Sequence, residues 1–199
     1  MENIKKTVVS SLAWKLLERI GTQGIQFAVQ ILLARILSPE NYGTIALISI
    51  FIAIANVFIQ SGFSTALIQK KDTSEEDFSS VFYLSLVIAA IFYLILFITS
   101  PLIARFYNND QLIYILRVLS LTLFFGAFNS VQNAVIAKKM QFKKLFFSSL
   151  GSIVISGIAG IICAYLGYGV WALVIQQLVN QLSVTLILWF TVDWHPKKV

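Results

Sequence analysis

Five basic and amide side chains share one face of the first hydrophobic segment. Lys15, Arg19, Gln23, Gln26 and Gln30 fall within an arc of about 80° on a helix that turns about 100° per residue. A polar side chain that faces lipid costs several kcal/mol, so we expect this face to line an aqueous cavity or a protein interior. Ammonium and guanidinium groups bind anions, and the guanidinium fork matches phosphate geometry.

Three other hydrophobic segments carry polar side chains that can face the same space. Asn56 and Gln60 share one side of the second segment, and Gln176 and Asn180 share one side of the sixth. Arg117 lies roughly 10 Å inside the outer end of the fourth, from a helical rise of about 1.5 Å per residue. The predicted cavity-lining, substrate-binding residues are Lys15, Arg19, Gln23, Gln26, Gln30, Asn56, Gln60, Arg117, Gln176 and Asn180.

The charges inside the hydrophobic segments are mostly positive. Glu18 is the only carboxylate there, against Lys15, Arg19 and Arg117. A cationic cavity suits an anionic ligand, whereas a proton relay or a pump for cations needs carboxylates, and an enzyme needs paired acid and base groups. Structural roles stay open, because the cations near span ends can reach the lipid headgroups and amides can join helices by hydrogen bonds.

Composition places these residues in a membrane protein. Of 199 residues, 58% are hydrophobic and 12% are charged, whereas about 25% are charged in soluble domains. The mean hydropathy is +0.82, and six segments are long enough to cross a hydrocarbon layer of about 30 Å. The connectors are too short to hold a soluble catalytic domain. We expect an all-α integral membrane protein, a single six-helix bundle with spans at about 11–37, 42–68, 79–104, 111–137, 145–167 and 169–192.

The basic residues between the spans orient the bundle. The two terminal tails and the even-numbered connectors hold ten Lys residues, whereas the odd-numbered connectors hold Arg35 and Arg105. Cytoplasmic loops are enriched in Lys and Arg, so we predict a multi-pass protein of the bacterial cytoplasmic membrane with both termini cytoplasmic. Trp14 and Tyr42 fall near span ends, as an aromatic belt requires. The basic pairs form no continuous stripe, which argues against a nucleic-acid partner.

Local signals mark the helix starts. Ser38-Pro39-Glu40 is typical of an N-cap followed by a first-turn proline and an acidic residue. Thr73 and Glu76 have capping-box spacing and predict the start of the third helix.

The fifth span carries a ridge of small residues, which lets helices approach closely in lipid. Gly167 and Gly169 predict a short turn after this span. The ridge consists of Ser148, Ser152, Ser156, Gly160 and Ala164.

Three motifs and one basic segment carry a resemblance to a transporter family. The motifs are ARILSPENYG at 34–43, QSGFSTALIQKK at 60–71 and SPLIARFY at 100–107, and the basic segment is 138–144. Over its whole length the sequence resembles the polysaccharide transporters, or lipid-linked oligosaccharide flippases, of the multidrug/oligosaccharidyl-lipid/polysaccharide flippase superfamily. The resemblance is greatest to exporters of colanic and teichuronic acid repeat units.

The resemblance implies a flippase that moves an undecaprenyl-diphosphate-linked oligosaccharide from the inner to the outer leaflet for surface polysaccharide synthesis, without a cofactor. Family members have two bundles of six or more helices around a central cavity, and this chain matches the N-terminal bundle. The expected partners are therefore the lipid-linked substrate, the lipid bilayer and a second six-helix lobe, or a polysaccharide polymerase and glycosyltransferases. In this setting we expect Arg19 and Arg117, assisted by Lys15, to bind the diphosphate.

Two other functions stay open. A cation-coupled multidrug efflux half-transporter of the same fold requires Glu18 to titrate. A non-transporting six-helix fragment that docks to a partner membrane protein would use its polar faces as interhelical contacts.

Overall fold

The computed structural model describes residues 2–60, 67 and 74–196. The described chain is helical, without strands. Gly167 and Gly169 have positive φ angles of 81° and 55° and form the last turn. The helices are α1 (Glu2–Ile36), α2 (Pro39–Gln60), α3 (Glu75–Phe106), α4 (Gln111–Leu119), α5 (Thr122–Lys138), α6 (Phe142–Tyr165) and α7 (Val170–Thr191).

Five stretches of the described chain are helical, long and apolar enough to cross a membrane. They correspond to the second to sixth predicted spans, and they establish an all-helical membrane protein. α1 is 35 residues long but is not one of the five, because its polar stripe lowers its hydropathy. The six-span bundle therefore stays a prediction. The five stretches are Pro39–Ile59, Glu75–Phe106, Gln111–Lys138, Phe142–Tyr165 and Val170–Thr191.

The fourth span is not one uninterrupted helix. α4 and α5 are joined by Ser120 and Leu121, where the Leu121 amide donates to the Val118 carbonyl at 3.2 Å and the Leu123 amide to the Ser120 carbonyl at 3.1 Å. These bonds reach back three residues, as in a 3₁₀ turn. The Ser120 hydroxyl also donates to the Leu116 carbonyl at 2.6 Å. A serine bonded in this way bends a helix, which explains the interruption.

The predicted start of the third helix is wrong by one residue. Ser74 is the N-cap, and Thr73 lies outside the described residues. The Asp77 amide donates to the Ser74 hydroxyl at 3.2 Å, and the Ser74 amide donates to the Asp77 carboxylate at 2.9 Å. This is the reciprocal pair of a capping box. Ser74 and Asp77 have the same spacing as Thr73 and Glu76, so spacing alone could not separate the two.

Other local predictions are confirmed. α2 begins at Pro39 with Glu40 in its first turn. The ridge of small residues on α6 is buried and packs against α7, where a Cβ on Gly160 would lie 2.9 Å from the Gln176 Cβ. On a neighbouring face of α6, the contact with α1 is equally close, because a Cβ on Gly157 would lie 2.8 Å from a Val29 methyl.

The apolar core is thickest at the end of the bundle that holds the α6–α7 turn. There the last turns of α1 join the first turns of α2 and α7, through residues such as Leu33, Ile48 and Leu173. A second cluster, including Phe82, Val135 and Leu188, lies at the other end. We call that other end, with Lys138, Lys139, Lys143 and Lys144, the basic end. Between these two ends, α1 and α2 line polar cavities.

Candidate functional site

Two polar cavities with partly exposed linings lie between the helices of the bundle. The first, which we call the amide cavity, has a volume of about 410 Å³ and is lined by α1, α2, α5, α6 and α7. The second, which we call the basic-end cavity, has a volume of about 620 Å³ and lies nearer to the lysines of the α5–α6 connection. Both volumes fall within the range of about 300–1,000 Å³ that is usual for ligand sites.

The amide cavity brings together five of the predicted residues. Gln26 and Gln30 come from α1, Asn56 from α2, and Gln176 and Asn180 from α7. The polar faces of three helices therefore converge, as their helical spacing predicted. A role of these residues in substrate binding stays a prediction.

Neighbouring residues hold the amide side chains in place. The Asn180 side-chain amide donates to the Ser156 hydroxyl on α6 at 3.3 Å. Gly160 on the same face of α6 allows the stem of Gln176 to lie against the α6 backbone. The small-residue ridge thus sets the distance between α6 and α7 and also positions the cavity lining.

Tyr42 lines the amide cavity and was not among the predicted site residues. Its hydroxyl is buried and has no hydrogen-bond partner among the described residues. The sequence pattern placed Tyr42 at a membrane interface because it stands near a span end. Only the fold shows that its side chain faces the cavity.

The basic-end cavity contains the charged part of the α1 stripe. Lys15 and Glu18 line it, together with Asn129, Asn133 and Ser149. The last three were missed, although the spacing of four between Asn129 and Asn133 is a signal that could have found them. The Lys15 ammonium lies 5.1 Å from the centre of the Phe142 ring.

Asn56 and Gln181 line both cavities. A Cβ placed on Gly126 would lie 2.9 Å from the Asn56 Oδ1 atom. The Asn129 side-chain amide donates to the Gln181 Oε1 atom at 3.4 Å. These four residues, which we call the neck, lie where the two cavities meet. A single glycine has no recognisable sequence signal, so Gly126 could not have been predicted.

Arg117 is not part of either cavity. Its Nε atom donates to the Ser100 hydroxyl on α3 at 3.0 Å, and its guanidinium carbon lies 4.0 Å from the centre of the Phe97 ring. Phe124 follows on the same face and packs on Tyr93 of α3. The expectation that this face joins the central space is therefore not met, because the face is occupied by α3.

The remaining predicted residues line neither cavity, or their side chains lie outside the described residues. Arg19 and Gln23 line neither cavity and are exposed, as are Lys15 and Gln26 on the same face of α1. The side chain of Gln60 lies outside the described residues. No group of three or more metal-ligating side chains occurs in the part of the chain that the structure describes.

The fold and the cavities define a helical membrane protein with amide-rich cavities between its helices, one of which also holds Lys15 and Glu18. Residues 32–199 match the family described as polysaccharide biosynthesis protein. The chain belongs to this family of Wzx-like polysaccharide flippases, as its motifs predicted.

Curated relatives agree with this assignment. The chain is 30% identical over 177 residues to the succinoglycan biosynthesis transport protein ExoT of Rhizobium meliloti, covering 89% of this chain and 36% of the relative. It is 25% identical over 198 residues to the teichuronic acid biosynthesis protein TuaB of Bacillus subtilis, covering 98% of this chain and 41% of the relative. The chain is 23% identical over 181 residues to the lipopolysaccharide biosynthesis protein WzxC of Escherichia coli, covering 90% of this chain and 36% of the relative.

The chain therefore spans about two fifths of the length of these relatives. No solved structure matches it.

Proposed function

We propose that this chain forms one lobe of a flippase that moves an undecaprenyl-diphosphate-linked oligosaccharide from the inner to the outer leaflet for surface polysaccharide synthesis. The observation that carries the proposal is the amide cavity. Its side-chain amides come from separate helices of a protein whose family and relatives act in polysaccharide biosynthesis. Transport requires no bond to be made or broken, so no cofactor or catalytic residue is needed.

The cavity lining suits sugar hydroxyl groups. Each Asn or Gln amide offers two donors and an acceptor with two lone pairs, and each hydroxyl both donates and accepts. A hydroxyl that leaves water without a new partner costs about 1–3 kcal/mol. An amide-rich lining therefore compensates a glycan for its lost water, and the buried Tyr42 hydroxyl adds one more group that a sugar can bond.

We assign the diphosphate to the α1 stripe near the basic end. Lys15 lines the basic-end cavity, and Arg19 lies one turn further along the same face. Their charges would bind the diphosphate below the sugars in the amide cavity. Arg117 is left out of this assignment because its guanidinium is already engaged by Ser100 and Phe97.

The exposed side of α1 supports the need for a second lobe. Arg19 and Gln23 are exposed, and such side chains are costly against lipid. We propose that a second six-helix lobe covers this side and that α1 is the sixth membrane span. The lysine-rich basic end would then be cytoplasmic, in the inner membrane, with both termini on that side.

Binding of a lipid-linked oligosaccharide tests the proposal directly. The chain in nanodiscs would be titrated with a polyprenyl diphosphate that carries an oligosaccharide and with the same lipid lacking sugars. We expect the glycosylated lipid to bind more tightly, and the difference to fall in the double variant Asn56→Ala/Asn180→Ala. Gln111→Ala, a polar-to-alanine change outside both cavities, is the matched control. Equal affinity for the two lipids would contradict the proposal.

One observation favours a second candidate function, cation-coupled efflux. Glu18 lines the basic-end cavity, where a carboxylate can exchange a proton or bind a cation. If the protein is an efflux pump, Glu18→Gln abolishes transport of cationic compounds. If it is a glycan flippase that does not use Glu18, surface glycan persists in the same variant.

A further inference from the structure

A third hollow lies on the outside of the bundle, at the basic end. It is a groove of about 380 Å³ between the start of α6 and the end of α7. None of its residues lines the amide cavity or the basic-end cavity, so it is separate from the proposed glycan path. The groove is lined by Gln141, Lys143, Lys144, Phe147, Ile187 and Thr191.

The groove surface is mainly apolar, and two lysines stand at one end of it. Lys143 and Lys144 stand at the start of α6, and Phe147 lies one turn further into the membrane, with 57% of its surface exposed. Ile187 of α7 forms the facing apolar wall. A phospholipid has the same order along the membrane normal, with a charged headgroup outside and acyl chains inside.

The lysines leave positive charge available at the groove. Lys143 forms no ion pair in the described part of the chain, and its ammonium lies 5.6 Å from the centre of the Trp14 ring. Lys144 lies 3.2 Å from the Asp193 carboxylate, which is 79% exposed. Asp193 partly neutralises Lys144 and competes with any anion, so the two lysines exceed the one carboxylate by one charge.

We propose that this groove binds one anionic phospholipid of the membrane. The headgroup phosphate contacts Lys143 and Lys144, and an acyl chain lies on Phe147 and Ile187. Basic pockets between helices at a membrane surface bind anionic headgroups in this way. The proposal depends on the membrane location of the chain and not on its transport function.

Trp14 provides a reporter for the site. Its ring centre lies 6.3 Å from that of Phe147, so a brominated acyl chain in the groove would quench its fluorescence. In phosphatidylcholine nanodiscs of the chain, brominated phosphatidylglycerol should quench more strongly than brominated phosphatidylcholine at equal fraction. The part of the quenching that comes from Trp14 should be absent in the Trp14→Phe variant, and this identifies it. Equal quenching by the two lipids would overturn the proposal.

Charge variants separate a defined site from a diffuse attraction. Lys143→Gln/Lys144→Gln should lower the preference for phosphatidylglycerol by about fivefold or more per lysine. Lys138→Gln/Lys139→Gln removes the same charge from the same connection, but these two lysines line a different cavity, beside Trp194. This double variant should therefore keep the preference for phosphatidylglycerol. Equal losses in the two double variants would show diffuse surface charge and overturn the proposal.

A third variant predicts the opposite change. Asp193→Asn removes the competing carboxylate, so the preference should rise, and a fall would contradict the site. Unchanged circular dichroism controls for folding in each variant.

Addition of inorganic phosphate should not relieve the quenching, because the acyl chain contributes to binding. Brominated polyprenyl phosphate should quench less than phosphatidylglycerol, and stronger quenching by it would assign the groove to the lipid-linked substrate instead.

Discussion

The α6–α7 pair and the α1–α2 pair differ in what their polar residues do. α6 faces α7 with a ridge of Ser, Gly and Ala, and the backbones come so close that Gly160 has no room for a Cβ beside Gln176. α1 and α2 carry long amides such as Gln26 and Asn56, and a cavity remains between them. Small residues on α6 therefore let this helix pair close even against the stem of Gln176, whereas a cavity remains where α1 and α2 both carry amides. Four substitutions test this difference.

The largest effect is expected at the closed pair. Gly160→Leu adds a side chain where even a Cβ would lie 2.9 Å from the Gln176 Cβ, so the helices must separate. We expect a loss of about 3 kcal/mol or more in the free energy of unfolding, measured by denaturant titration in micelles. Gly151→Ala is the control, because its Cβ would lie 3.4 Å from the flexible end of Ile187. Similar stability of the Gly160→Leu variant and the unmodified chain would show that this pair is not closely packed.

A smaller loss is expected between α3 and α4, where a long polar residue is enclosed. Arg117→Ala removes the hydrogen bond to Ser100 and the contact with Phe97. We expect a loss of about 1–3 kcal/mol in stability and unchanged affinity for the lipid-linked oligosaccharide. If stability is kept and affinity falls, Arg117 is a ligand contact and the original sequence prediction is right.

At the neck, a small change should affect transport more than stability. Gly126→Ala places a methyl group 2.9 Å from the Asn56 Oδ1 atom, so the Asn56 side chain, which lines both cavities, must shift. We expect the rate of glycan flipping to fall about tenfold, which equals about 1.4 kcal/mol in the barrier. The rate would be measured with the complete transporter in liposomes. Gly43→Ala, with open space around it, is the control. Equal flipping rates in the two variants would show that the neck is not part of the transport path.

The smallest effect is expected on the exposed part of α1. A Cβ on Gly24 would have nothing within 4 Å, and alanine favours a helix over glycine by up to about 1 kcal/mol. Gly24→Ala should therefore leave the stability of the chain equal or slightly raised. A clear gain in this chain together with a loss in the complete transporter would place the second lobe against Gly24.

Much of the fold followed from local rules. The start of α2 at Pro39, the turn at Gly167 and Gly169, and the buried ridge on α6 all depend on residues close in sequence. The convergence of Gln26, Asn56 and Gln176 was also predictable, because polar residues at helical spacing must avoid lipid.

The errors arose where the direction of a polar face depends on a distant helix. Arg117 had the expected residue type and depth, but periodicity cannot tell whether α3 or a cavity lies in front of it. The cavity-facing position of Tyr42 was not predicted for the same reason, and Gly126 matters because of Asn56 on another helix. The types of residue that line the cavity were thus predictable, but the list of predicted lining residues was incomplete.

The turn at Ser120 and Leu121 has a consequence for motion within the bilayer. A bend in a membrane helix usually exposes backbone groups that have no water to bond. Here the hydroxyls of Ser120 and Thr122 bond the carbonyls of Leu116 and Leu119, at 2.6 and 2.5 Å. The crossing can therefore flex at this point while its polar groups stay satisfied. Such flexing would swing the neck residues on α5 while Arg117 keeps α4 fixed to α3.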